Sequence, residues 1–238
     1  MTGRINMDFF SEWHEAYVKK ADCTNYIQQF LRKTPASVDA LLNSSFDELD
    51  KAYQVIRSTP LSDFIQGISS LPYDHQITAP EILQYSSFRD GVVRIPELLQ
   101  FYPNGENFIN LGYQMVGAPN EAANRKYGEN HARLAEALSL ATISASKPRF
   151  AMISAWGRYL LRYSFEEKLD IYKKLLLREY YLQTLITKAM NGQVSYFSVV
   201  SFLSESTALR RRSNTHHILD FILQGTDTEH YLTNINWQ

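Results

Sequence analysis

The chain has 238 residues, with 24 Lys/Arg against 25 Asp/Glu and an ordinary share of apolar residues, so it is long enough for real hydrophobic cores and too apolar for a disordered chain. Its single cysteine, Cys23, excludes an internal disulfide framework and fits a reducing cytoplasm. No apolar run approaches membrane-spanning length and the first ten residues lack a signal-peptide core, so a soluble cytoplasmic protein without membrane contact is expected.

In chain order, residues 7–19 place Phe9, Phe10, Trp13, Ala16 and Tyr17 at helical spacing, and residues 21–31 and 46–56 repeat the period, the latter opened by cap candidates Ser44 and Ser45. Pro35, Pro60, Pro72 and Pro80 punctuate this region into short helices. A helix is expected from Pro96 to Tyr102, then a turn at residues 103–105, a second helix from Phe108 to Val116 and a turn at residues 117–120. A third helix runs from about Glu121 to Leu140, followed by two β-type runs, Ala141 to Ala145 and Arg149 to Ala155. Phe165 to Ala189 reads as one long helix closed by Asn191 and Gly192. Ser195 to Leu203 is a short helix, Ser206 or Thr207 is placed to cap the next, and Tyr231 to Trp237 alternates like a strand able to supply a wing.

Charge is unevenly spread along this plan. Residues 1–118 hold 9 Lys/Arg against 14 Asp/Glu, and residues 119–238 hold 15 against 11, an acidic front and a basic back. Two stretches carry the positive charge, Asn124 to Arg133 and Leu209 to His217, each running into an apolar helical stretch. Cations in a first helical turn oppose the partial positive charge of its free N–H groups, a conflict that a docked phosphate relieves. Nucleic acid is the expected partner.

The middle segment has the element order of a winged helix, in which the third helix enters the major groove and the hairpin flanks the backbone. On the third helix Tyr127, His131, Leu134, Ala135 and Leu138 share one stripe, while Arg125, Lys126, Glu129 and Arg133 face away. Two plainer readings stay open: Glu129 can pair with Arg125 and Arg133 on a solvated face, and Arg210 to Arg212 can pair with an acid such as Glu205. His131, on the apolar side, reads as a partly buried histidine.

Four segments, Lys126 to Ala135, Trp156–Gly157, Leu176 to Glu179 and Ser206 to Thr215, resemble a prokaryotic family of tandem winged-helix modules that occur alone or appended to restriction endonucleases and other phage-defence proteins. The resemblance spans roughly Ile95 to Leu223. It implies duplex-DNA binding in target recognition, with catalytic residues in some other domain and a nuclease or ATPase subunit as a possible partner.

The search for chemistry within the chain comes up empty. A restriction-type core needs an acid and then Glu/Asp-x-Lys on adjacent strands; Glu166-Glu167-Lys168 matches the triplet but falls at a helix start. There is no Gly-Lys-Ser/Thr phosphate loop. His216 and His217 are adjacent and so point to different helix faces, without a cysteine cluster to complete a zinc site. Cys23 sits in a helical run without a histidine neighbour, and the aromatic residues sit mostly at core spacing.

The sequence therefore predicts a non-catalytic, mainly α protein with small β-hairpin wings, divided into a helical region 1–92 and winged-helix domains 93–163 and 164–238, needing no cofactor or metal. Phosphate anchoring is expected from Arg210, Arg211, Arg212, Lys147 and Arg149, and base reading from Asn124, Arg125, Lys126, Asn214 and His216, with Asn130, Arg133 and Ser213 beside them. The alternative is a protein–protein adaptor subunit of a defence complex.

Overall fold

Residues 9–72 and 75–238 are described by the computed structural model, and they are mainly helical with two small sheets. The aromatic stripe of α1 (Phe9–Val18) supplies the first core. Phe10 and Trp13 pack on Phe30 of α2 (Thr24–Leu31) and Trp13 also meets Phe64, with ring centroids 5.7–6.2 Å apart. Pro35 starts a helix instead of breaking one: it occupies the first turn of α3 (Pro35–Asn43), where its missing N–H costs nothing, behind the Thr34 cap. Ser45 and Glu48 form a reciprocal cap on α4 (Phe46–Ser58), and Phe64 belongs to α5 (Leu61–Ser69). The expected start of α1 at Met7 lies outside the described residues.

Residues 75–87 form a strap with a single 3-10 turn at Ala79–Glu81. The next helix begins well before Pro96, with a π-helical stretch at Asp90–Arg94 that runs into α6 (Ile95–Leu99). Then come β1 (Glu106–Asn107), α7 (Phe108–Val116), α8 (Glu121–Ala137), β2 (Ala141–Ile143) and β3 (Phe150–Ile153). The three strands are antiparallel in the order β1-β3-β2, with Glu106 opposite Ala151 and Thr142 opposite Met152. Sequence reasoning missed β1, which is two residues long, and carried α8 about three residues too far. Ser139, with φ 58°, turns the chain out of the helix.

Two glycines set the angle between α7 and α8. A Cβ at Gly112 would strike the Asn124 carbonyl, and one at Gly128 would strike the Phe108 carbonyl, so each helix backbone lies directly on the other. Gly117, in the left-handed conformation at φ 58°, closes α7 and turns the chain toward α8.

Trp156 is buried in α9 (Ala155–Leu160), and Gly157 beside it backs onto the Leu140 carbonyl. The single helix expected from Phe165 to Ala189 is two, α10 (Phe165–Leu176) and α11 (Tyr180–Met190). The break has a tertiary cause. The last carbonyls of α2 have no partner within their own helix, and the α10–α11 turn and the start of α11 supply donors: Arg178 Nε to Phe30 O at 3.1 Å, Gln183 Nε2 to Leu31 O at 3.0 Å and the Tyr180 hydroxyl to Arg32 O at 3.1 Å. Lys174 does the same for α4, donating to Ile56 O and Arg57 O while paired with Asp170. Arg178 is fully buried, lies 4.7 Å over the Phe30 ring and reaches the Ser139 hydroxyl; burial pushes its pKa down to about 10.

The C-terminal segment continues with β4 (Val194–Ser195), α12 (Tyr196–Val199) and α13 (Glu205–Leu223), closed by a 3-10 turn at Glu229–Asn234 and β5 (Ile235–Asn236). Here the expected wing fails. Most of Tyr231 to Trp237 is 3-10 helix, and its two strand residues pair parallel to β4, so described residues 164–238 form no antiparallel hairpin. The buried apolar residues form one continuous cluster from Phe9 to Ile235, across all three of the expected segments.

Candidate nucleic-acid interface

The two basic stretches lie on α8 and α13, but not in their first turns. Glu121 and Glu205 occupy those positions, where an acid suits the helix dipole. Ser204, not Ser206 or Thr207, is the residue at which α13 begins. The helix-terminus argument for a phosphate therefore falls away, and any anion must meet the cations on the helix flanks.

On α8, Arg125 and Lys126 are exposed and make no hydrogen bond or ion pair with the described residues. Lys147 and Arg149, on the β2–β3 connection, are equally exposed and equally unpaired. Arg125, Lys147 and Arg149 line one open groove of about 1020 Å³ between α7, α8 and the hairpin, together with Asn107, Asn110 and Tyr113. Two acids share it. Glu129 is neutralised by Arg133 at 3.0 Å, and Glu121 has no ion-pair partner among the described residues, so the groove remains net positive.

Several expected base readers are committed elsewhere. Asn124 is 4% exposed; its amide donates to Ala118 O and accepts from Ala118 N, both at 2.9 Å, and so holds the turn between α7 and α8. Arg133 is half-buried against Glu129. His131 is 1% exposed, its Nδ1 donating to Tyr127 O at 2.8 Å and its Nε2 accepting from the Ser87 N–H at 3.3 Å. Burial holds its pKa below the ordinary histidine value, and the ring is neutral.

On α13 the triplet divides. Arg210 is exposed and bonds only within its own helix, to Ser206 O and the Thr207 hydroxyl. Arg211 is half-buried and donates to Ala79 O of the strap, and Arg212 donates to Trp237 O at 2.9 Å. Asn214 donates to Tyr85 O at 2.7 Å, and His216 packs edge-on to Trp237 with Asp220 at 3.6 Å. Ser213 is exposed and makes no hydrogen bond to the described residues. Among the described residues no acid pairs with Arg210 to Arg212, whose partners are carbonyls and a hydroxyl.

Lys126 and Asn130 meet Arg210 and Asn214 across a second, smaller cleft of about 480 Å³ over Tyr85 and Ser86. Sequence reasoning kept the two stretches in separate domains and missed this meeting. Gln84, Tyr85 and Ser86, the strap residues at this cleft, are uncharged and carry no motif to signal it.

Glu166-Glu167-Lys168 sits in the first turn of α10, where Glu167 completes a cap with Ser164 and Lys168 is buried. Among the described residues no group of three or more His, Cys, Asp or Glu is placed to hold a metal ion, and no helix is long and apolar enough to cross a membrane. Comparison with protein-family models, with curated proteins and with solved structures returned no match.

Proposed function

We propose that this protein is a non-catalytic duplex-DNA-binding module acting in the cytoplasm, in target recognition for a restriction or phage-defence system. What carries the reading is the open groove in which Arg125 of α8 faces Lys147 and Arg149 of the hairpin, three exposed cations without partners among the described residues. Two elements that flank a winged helix's duplex, its third helix and its hairpin, are the two that supply these cations. The order helix, β1, α7, α8, β2, β3 supports assigning residues 93–163 to that fold. Residues 164–238 then form a second, wingless copy, with β4, α12 and α13 in the places of β1, α7 and α8. Lys147 and Arg149 grip phosphates, and Arg125 reaches base edges.

An adaptor role is the second reading. It is favoured by Tyr113, 64% exposed at the groove, and by the unpaired Glu121 there, a mixture that suits a protein surface. Anisotropy titration of a labelled duplex across a salt series separates the two. Replacing Lys147 and Arg149 with Ala should weaken every duplex alike and flatten the log–log salt slope by about 1.8, at about 0.9 per phosphate. Arg125→Ala should instead compress the preference among sequences by about 1–3 kcal/mol. Absence of binding to any duplex at low salt would leave the adaptor.

A further inference from the structure

We infer that Lys126 and Arg210 hold a single backbone phosphate between them, in the cleft where α8 and α13 meet, so that the two helices grip one duplex as one unit. The inference rests on the DNA-binding reading and adds a seat that neither helix possesses alone. The cleft is lined by Lys126, Asn130, Arg210, Asn214, Ser86 and His131 among others, and no acidic residue lines it. That sets it apart from the larger groove, which Glu121 and Glu129 share.

The donors are available. Lys126 and Asn130 make no hydrogen bond to the described residues, and Arg210 spends Nε and Nη2 within its own helix, leaving Nη1. His131, neutral and tied to Tyr127 O and Ser87 N, adds no charge of its own. A phosphodiester spreads one negative charge over two non-bridging oxygens, so two cations closing from opposite walls can each take one oxygen, and charge-assisted hydrogen bonds from both are short and directional. The walls are fixed relative to each other. Asn214 and Arg211 bind the strap from α13, His131 binds it from α8, and the strap lies as a floor between them. This rigidity explains why three of the four polar residues at 211–214 are turned inward: they hold α13 where Arg210 can reach across. The second unit, lacking a hairpin, contributes a wall to the first unit's site instead of forming a separate half-site.

Salt dependence tests the shared seat, because the slope counts phosphates neutralised, not cations present. Lys126→Ala and Arg210→Ala should each weaken a labelled duplex by about twofold to tenfold. Neither should change the salt slope, since the remaining cation still neutralises the phosphate. The double variant should flatten the slope by about 0.9. Among the described residues neither side chain makes a hydrogen bond or ion pair to another element, so each variant should melt with the parent, and Arg210→Lys should retain affinity. Slope losses of about 0.9 in each single variant that add in the double would mean two separate phosphates and overturn the inference. Unchanged affinity in Arg210→Ala, with Lys147 and Arg149 variants still weakened, would overturn it while leaving the DNA reading intact. Loss of all duplex binding in the parent would remove the reading beneath it.

Discussion

Gly128→Ala is the sharpest test of how α8 is held. A methyl group there would lie 2.9 Å from the Gly112 nitrogen and 3.0 Å from the Phe108 carbonyl carbon, with the Phe108 oxygen closer still, against 3.4 Å or more in ordinary contact. The helices must part by about 1 Å to clear the Phe108 oxygen, and the obstacle is backbone, which cannot rotate away. Overpacking of this kind costs about 1–3 kcal/mol, and the rigid obstacle favours the upper end. Removing a glycine from a helix returns at most about 1 kcal/mol. The net loss, about 2 kcal/mol, corresponds to a melting temperature lower by about 4–8 °C for a chain of this size. Calorimetry or thermal circular dichroism reads it directly. A variant as stable as the parent, or more stable, would show that α7 and α8 do not cross with backbones in contact.

Three further outcomes follow from the same geometry. His131 is neutral when folded and takes a proton when unfolded below about pH 6.5, so stability should fall by about 1.4 kcal/mol per pH unit from there toward its lowered folded pKa. The Tyr127 carbonyl bond and, after it, the Asp90 charge oppose that shift without overcoming burial; urea midpoints at pH 7.5 and 5.5 should converge in His131→Gln, and a parent with no such loss would refute it. Arg211→Ala should cost about 1–3 kcal/mol of stability, because the Ala79 carbonyl loses its donor, whereas Arg210→Ala should cost almost none; equal melting of the two would contradict the division of the triplet. Incubation with Mg²⁺ or Mn²⁺ should leave duplex DNA intact, and metal-dependent cleavage abolished by Glu166→Ala would promote that residue to an active site.

What the sequence discloses here is what depends on near neighbours. The Ser45 cap reaches only to Glu48, three residues on, and the Gly117 turn and the α7–α8–hairpin order are equally local. What it hides is decided at long range. The apolar run Leu175 to Leu177 continues a helical period, and nothing local reveals that Arg178 is drawn off by Phe30, 148 residues away. Arg211 looks like its neighbours until Ala79, 132 residues distant, claims it. Asn124 misleads differently. An amide beside two cations reads as a base contact, yet its bonds close a turn only six residues back. The candidate site was thus legible as to its cations, and illegible as to which of them the fold keeps for itself.

The capping of α2 and α4 by residues 174–183 has a consequence in time. At about 5–20 residues per second of synthesis, roughly 7–30 s pass between the emergence of Phe30 and of Arg178. Through that interval the first helices are complete in sequence while the carbonyls of residues 30–32 lack their donors. The α5 helix, which carries Phe64, likewise waits for the α11 helix that packs on it. Nascent chains halted before residue 174 should therefore be the species most readily seized by chaperones or lost to proteolysis, and the helical N-terminal region should become protease-resistant only once α11 has left the ribosome.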